Sequence, residues 1–246
     1  MNLWRLEFLR LVRTYRVWIL LGIFGFFAVL GPATAKYLPE IVDRLGGGVE
    51  IAVPPATPEL AMAQYLGNAL QIGLLAIAFV AASALAFDAN PEMSSFLRTR
   101  STIPRILEPR YVVNMVAAVG SFLIGSGLAF VLSALLIDTP RVGGTVLGSL
   151  LVALYLCFAV ALTGLFASLV RSVPGTALLT VGALIALSIV GLIPIVRPWL
   201  PSNLVGAYDA LIGGGDFVYW RAIASAVVLS GGAIALSVFR MERREV

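Results

Sequence analysis

The sequence predicts an all-α integral membrane protein with six transmembrane helices, an N-terminal amphipathic interfacial helix, and short re-entrant helices before the last span. Composition is the first observation behind this. Of 246 residues, 60% are AVILMFWYC and 12% are charged, against roughly 25% charged in an ordinary soluble domain. The second is the length of the stretches free of Asp, Glu, Lys and Arg: residues 17–35, 60–87, 111–137, 142–170, 172–196 and 222–239. They run from 18 to 29 residues, and a bilayer-spanning helix needs about 20. The third is that these runs do not alternate polar with apolar residues, as barrel strands do. Residues 1–246 read as one membrane domain.

Residues 2–16 predict the interfacial helix. Trp4, Phe8, Leu11 and Tyr15 are spaced i, i+4, i+7, i+11 and share one face, with Arg5, Arg13 and Arg16 on the far side and Arg10 nearby. An aromatic face with arginines opposite suits the headgroup layer, where guanidiniums meet anionic lipid. A plain extension of the first span that sets topology is the competing reading. Basic residues, an apolar run and Ala33-Thr34-Ala35 also resemble a cleavable secretory signal. The long basic start and the five later spans favour a retained first span.

Residues 36–59 are expected to be a loop, since Gly46-Gly47-Gly48 and Pro54-Pro55 sustain neither helix nor central strand. In the second span, Gln64, Asn68 and Gln71 form a polar stripe at i, i+4, i+7. Lining a pathway and gluing helices together are equal readings of it. Residues 88–110 form a second long loop. Asn90, Pro91 and Glu92 suit the start of a short helix as cap, first position and dipole partner. Phe96 and Leu97 beside Arg98 and Arg100 suit docking of another protein, although such arginines also enforce topology. Pro104 and Pro109 are expected to punctuate the route into the third span.

Asp138-Thr139-Pro140-Arg141 and Arg171-Ser172-Val173-Pro174 make tight turns, so spans three, four and five are antiparallel neighbours. Gly144 and Gly148 in the fourth span form a GxxxG that permits close helix approach, read chiefly as packing within the chain. Thr176 and Thr180 of the fifth span read as glue between helices. Residues 197–220 are too apolar for a solvated connector, and short helices dipping into the membrane are expected there. The tail Arg240-Met241-Glu242-Arg243-Arg244 follows the last span.

Orientation follows from basic residues in the connections. With the N-terminus in the cytoplasm, twelve lysines and arginines fall inside and five outside. Both termini are therefore expected in the cytoplasm, in the inner membrane of a bacterium.

Missing residues narrow the chemistry. Histidine is absent and cysteine occurs once, as Cys157, so neither an intrachain disulfide nor a Cys/His zinc site is expected. The single lysine, Lys36, lies between Ala35 and Tyr37 and builds no Walker A loop. None of the six charge-free runs carries the ionisable group with which proton-driven carriers mark their pathways. Catalysis, a metal, a cofactor and nucleic-acid binding are not expected of this chain.

Taken together, these features resemble a permease of the ABC type-2 exporter family over nearly the whole chain. The resemblance rests on the amphipathic N-terminal helix, the six spans, the loop between spans two and three, and the apolar segment before span six. Glu92 stands where the family usually has an acid. Arg98 to Arg105, with Pro104, resembles its basic-proline stretch, and Arg110 stands for the basic residue that opens span three. Pro109 directly before Arg110 departs from the pattern, and the motifs are degenerate. The resemblance implies a pathway between two permeases, this chain and a second copy or paralogue. It implies cytoplasmic ATP-binding-cassette subunits that hold ATP and magnesium. Glu92, Phe96, Leu97, Arg98, Arg100 and Arg105 would couple to the ATPase, with Trp4, Arg5, Phe8 and Arg13 beside them on the interfacial helix. Gln64, Asn68 and Gln71 are the candidate pathway residues. A path without fixed charge suits amphiphiles, drugs, lipids or peptides. The alternatives are the substrate-capture subunit of a vitamin uptake system and a membrane assembly factor without transport. The former usually carries an Ala-x-x-x-Ala in its first span, which is absent between Val17 and Ala35.

Overall fold

The computed structural model describes residues 3–45, 55–89, 92, 96, 99 and 101–243, with side chains of 43–45 and 87 left aside. Its helices are α1 (Leu3–Arg13), α2 (Arg16–Leu45), α3 (Pro58–Leu85), α4 (Ile103–Leu136), α5 (Val142–Ala167), α6 (Val173–Val190), α7 (Asn203–Ile212) and α8 (Trp220–Glu242), with 3-10 turns at Phe87–Ala89 and Arg197–Trp199. Among the described residues there is no strand. Six helices there are long and apolar enough to cross a membrane: α2, α3, α4, α5, α6 and α8. An even number of spans brings both ends of the described chain to one side of the bundle. That side is called the termini side below, and the opposite one the far side.

Local chemistry sets several boundaries. At the start of α3, Thr57 is extended and its Oγ1 accepts a hydrogen bond from the Leu60 amide at 3.2 Å. Pro58 follows at the first helical position and Glu59 stands in the first turn, where a missing N–H costs nothing and a carboxylate meets the positive end of the dipole. Pro174 plays the same part near the start of α6.

Several bounds differ from the sequence expectation. Helix α2 runs on to Leu45, through Pro32 and Pro39, although residues 36–59 were expected to be loop. Each proline removes one ladder bond, and helices that rise past the membrane tolerate this when neighbours pack around them. Its 30 residues rise about 45 Å, well beyond the ~30 Å hydrocarbon core, so a charge-free run undercounts the helix. Helix α4 likewise starts at Ile103, with Pro104 in its first turn and Pro109 inside it; Pro109 does not end anything. Conversely, α6 stops at Val190, six residues before its charge-free run ends, where Gly191 and Pro194 break the pattern.

Helix α5 is the centre of the bundle: two thirds of its apolar window (67%) is buried, against 22% for α6 and for α8. It touches α3, α4, α6, α7 and α8. Helices α2, α3 and α4 form a second packed group around Phe24, Tyr65 and Phe122. Phe24 meets Phe122 edge-on at 5.7 Å, and Tyr65 stacks on Phe122 at 6.2 Å. The Tyr65 hydroxyl donates to the Phe122 carbonyl at 3.1 Å, which settles the one polar atom of that knot without water.

Candidate functional site

On the termini side, one carboxylate holds three helices together. Glu7 of α1 lies 2.9 Å (Oε1) from Arg110 Nε of α4, and 3.5 Å (Oε2) from Arg10 Nη1 on its own helix. The two guanidiniums then reach the same place. Arg110 Nη1 donates to the Ala84 carbonyl at 2.8 Å, and Arg10 Nη2 donates to the Ser83 carbonyl at 2.6 Å. Ser83 and Ala84 lie in the last turn of α3, where carbonyls lack partners within the helix and carry the negative end of its dipole. Both arginines therefore cap α3, and Glu7 balances them. The pair is well shielded: the side chains of Arg110 and Glu7 are 7% and 12% exposed. Asn114, one turn further along α4, donates to the Arg110 carbonyl at 2.7 Å.

This junction fixes how α1 sits. Leu11 is buried and Glu7 and Arg10 are partly so, whereas Trp4, Arg5, Leu6, Phe8 and Arg13 are exposed. The docked face is Glu7–Arg10–Leu11, and the aromatic residues lie free beside it. Sequence periodicity had placed Leu11 and Tyr15 with Trp4 and Phe8. Leu11 instead enters the core, and Tyr15 lies beyond α1, in the turn to α2 with φ of 59°. Non-glycine residues seldom adopt that left-handed geometry; here it changes the chain direction between α1 and α2.

Directly after α3 the chain enters the loop expected to dock a partner. Glu92 and Phe96 are helical and exposed, and Thr99 Oγ1 donates to the Phe96 carbonyl at 2.8 Å. Leu97, Arg98 and Arg100 lie outside the described residues, as do Asn90 and Pro91. Arg105 is exposed on the first turn of α4, so it belongs to the third span and not to the loop. In chain order, the loop follows directly on the last turn of α3, which the Glu7–Arg110 junction caps. Sequence reasoning missed Glu7. A signal was available, because Glu7 is the only acidic residue before Glu40 and stands three residues before Arg10 in a helix otherwise rich in arginine.

On the far side, α3, α5, α6 and the segment after α6 enclose a half-open cavity of about 830 Å³. Gln71 lines it; Gln64 and Asn68 do not. The stripe is therefore divided: Gln71 is exposed to the cavity, whereas the Gln64 Oε1 atom is buried without a hydrogen-bond partner. Ser188, Arg197, Ser202 and Asn203 add polar groups to walls that are otherwise aliphatic apart from Tyr155.

The roof of the bundle at this side is α7, which lies against α5 where the two glycines of the GxxxG occur. A Cβ at Gly144 would collide with the Leu211 carbonyl, and one at Gly148 would lie 2.9 Å from the Tyr208 Cα. The motif seats α7, as packing within the chain requires. Tyr208, fully buried, reaches Ser126 of α4 at 3.3 Å, and Ser126 meets Ser149 of α5 at 2.8 Å. Thr176 and Thr180 do not bond across helices. Thr180 donates to the Thr176 carbonyl of its own helix at 2.8 Å, and α6 meets α3 through Ala78, Ala82 and Ala177.

No group of three or more His, Cys, Asp or Glu suited to a metal ion occurs among the described residues. The arrangement ties three helices together: an ion pair joins α1 to α4, and the two guanidiniums bond the end of α3.

Comparison with known proteins places the chain among membrane proteins. It is 25% identical over 222 residues, 87% of this chain and 86% of the relative, to an uncharacterized transmembrane protein, YxlG, of Bacillus subtilis (strain 168). No family model matches the sequence, and no solved structure matches it. The chain is a multi-pass transmembrane protein of six apolar helices, similar over most of its length to a bacterial membrane protein.

Proposed function

We propose that this chain is the membrane-spanning permease subunit of an ATP-driven transporter of the ABC type-2 exporter kind. It sits in the bacterial inner membrane with both termini in the cytoplasm. It works beside a second permease copy or paralogue and is powered by separate cytoplasmic ATPase subunits that hold ATP and magnesium. Its cargo is amphiphilic: a drug, lipid or peptide. The observation that carries this reading is the Glu7–Arg110 junction. It makes α1, the end of α3 and the start of α4 one lever, adjoining the exposed loop at Glu92 and Phe96. A partner that closes on that loop pushes on three helices at once. The push does work only if the partner contacts the two states of the bundle differently. Gln71 and the far-side cavity supply room for cargo at the other end of the lever.

The test begins with purification of the tagged chain from its native membranes in mild detergent. An ATPase bearing a Walker A lysine is expected to co-purify and to hydrolyse ATP. In vesicles of the complex, Glu92→Ala or deletion of 92–100 is expected to abolish export while ATP hydrolysis and the melting temperature persist. Absence of any ATPase from the purified material overturns the proposal. So does uphill transport by the chain alone on a proton or sodium gradient.

A further inference from the structure

We propose that the far-side cavity is a binding site for an anionic phospholipid of the leaflet opposite the termini, with its phosphate on Arg197 and one acyl chain along α6. The inference does not depend on the transport reading and holds for a six-helix membrane protein of any role.

The walls set the chain end of the ligand. Leu70 and Leu74 of α3, Val181, Leu184, Ile185 and Ile189 of α6, and Tyr155 of α5 line the cavity. From Val181 to Ile189 the helix rises about 12 Å, most of the depth of one leaflet in a hydrocarbon core of ~30 Å. The volume of about 830 Å³ lies in the roughly 300–1,000 Å³ range of sites for drug-sized molecules. One acyl chain and a headgroup occupy it, and the second chain stays in the bilayer through the open side.

Charge sets the head. Arg197 is the only charged residue in the lining, and no acidic residue is among the lining residues. No ion pair of Arg197 is found among the described residues, where Glu7 pairs with Arg10 and Arg110 at the other end of the molecule. The guanidinium is thus available to an anion, and its planar fork suits a phosphate. Asn203 and Ser202 stand beside it as neutral polar groups. The level of Arg197 also suits a headgroup. It begins the 3-10 turn that ends at Trp199, whose exposed ring carries the Arg221 guanidinium at 5.4 Å from its centroid. Tryptophan with arginine is the side-chain pairing of the membrane–water interface.

Native mass spectrometry of the detergent-purified chain, titrated with phosphatidylglycerol or phosphatidylcholine, tests the site. One phosphatidylglycerol is expected to remain bound where phosphatidylcholine of the same chain length does not. Arg197→Gln should weaken the phosphatidylglycerol adduct about tenfold, equivalent to about 1.4 kcal/mol. Arg141→Gln, on the same side but outside the cavity, should leave it unchanged. Ile185→Trp, which fills the aliphatic wall from an exposed position, should remove the adduct while Arg197 is intact. Equal binding of the two lipids by the native chain overturns the proposal, as does an undiminished phosphatidylglycerol adduct in either the Arg197 or the Ile185 variant.

Discussion

The two ends of the bundle are held together by different forces. On the termini side, three helices meet through a buried carboxylate and two guanidiniums, each hydrogen-bonded to the last turn of α3. On the far side, the helices meet through uncharged hydroxyls and the glycine seat of α7, and a cavity remains between α3 and α6. The first end is directional and strong per contact. The second depends on fit, and each contact is weak. The lever proposed above would need the first kind of joint where the force enters. A membrane-facing pocket needs the second kind, because tightly bonded helices would close it.

The contrast is broken most directly at Glu7. Glu7→Gln removes the carboxylate that lies 2.9 Å from the buried Arg110 guanidinium, and removing one partner of a buried ion pair costs about 3–5 kcal/mol. We expect the largest loss of detergent melting temperature in this variant and protease sensitivity between α1 and α2. A double-mutant cycle with Arg110→Met should recover part of the loss, since the pair's coupling disappears when both charges are gone. If both singles and the double are equally stable to the native chain, the junction does not hold the termini side.

Next comes Gly148→Val. Its side chain has no room beside Tyr208, and overpacking of this kind costs about 1–3 kcal/mol. The expected readout is loosening of α7, measured as faster hydrogen exchange at 203–212 with α1 unaffected. Slower still in effect is Tyr208→Phe, which removes the hydroxyl shared with Ser126. One neutral hydrogen bond is worth about 1 kcal/mol, and the melting temperature should drop by less than in the Glu7 variant. The smallest change is expected from Arg13→Gln. Arg13 lies on the same helix as Arg10 but is exposed, and surface substitutions of this kind stay within about 0.5 kcal/mol. An Arg13 effect as large as that of Arg10→Gln would mean that net charge, and not the capping of α3, explains the termini side.

Much of this was legible in advance, and the exceptions have physical causes. The six spans follow from the solvent, since a long charge-free run has nowhere else to go. Their lengths do not follow, because helices α2 and α4 continue past the hydrocarbon, where charge and proline are tolerated, as at Pro39 and Arg110. The GxxxG was readable as a close approach, but its partner was not: α7 is more than fifty residues away along the chain. Of the pathway stripe, spacing showed that Gln64, Asn68 and Gln71 share a face, while only packing decided that Gln71 alone reaches the cavity.

By itself, then, the amino-acid order determined the class of solvent, the number of crossings and the absence of histidine or Walker A chemistry. All of these depend on local composition and need no knowledge of neighbours. Tertiary structure alone decided which of many arginines matter. Arg10 and Arg110 differ from Arg5 and Arg13 only in what lies opposite them: two carbonyls at the end of α3 and the carboxylate of Glu7. The contacts that tie α1 to α3 and α4 join residues 73 positions apart, Arg10 and Ser83, and about a hundred apart, Glu7 and Arg110, so their energy is invisible until the helices are packed.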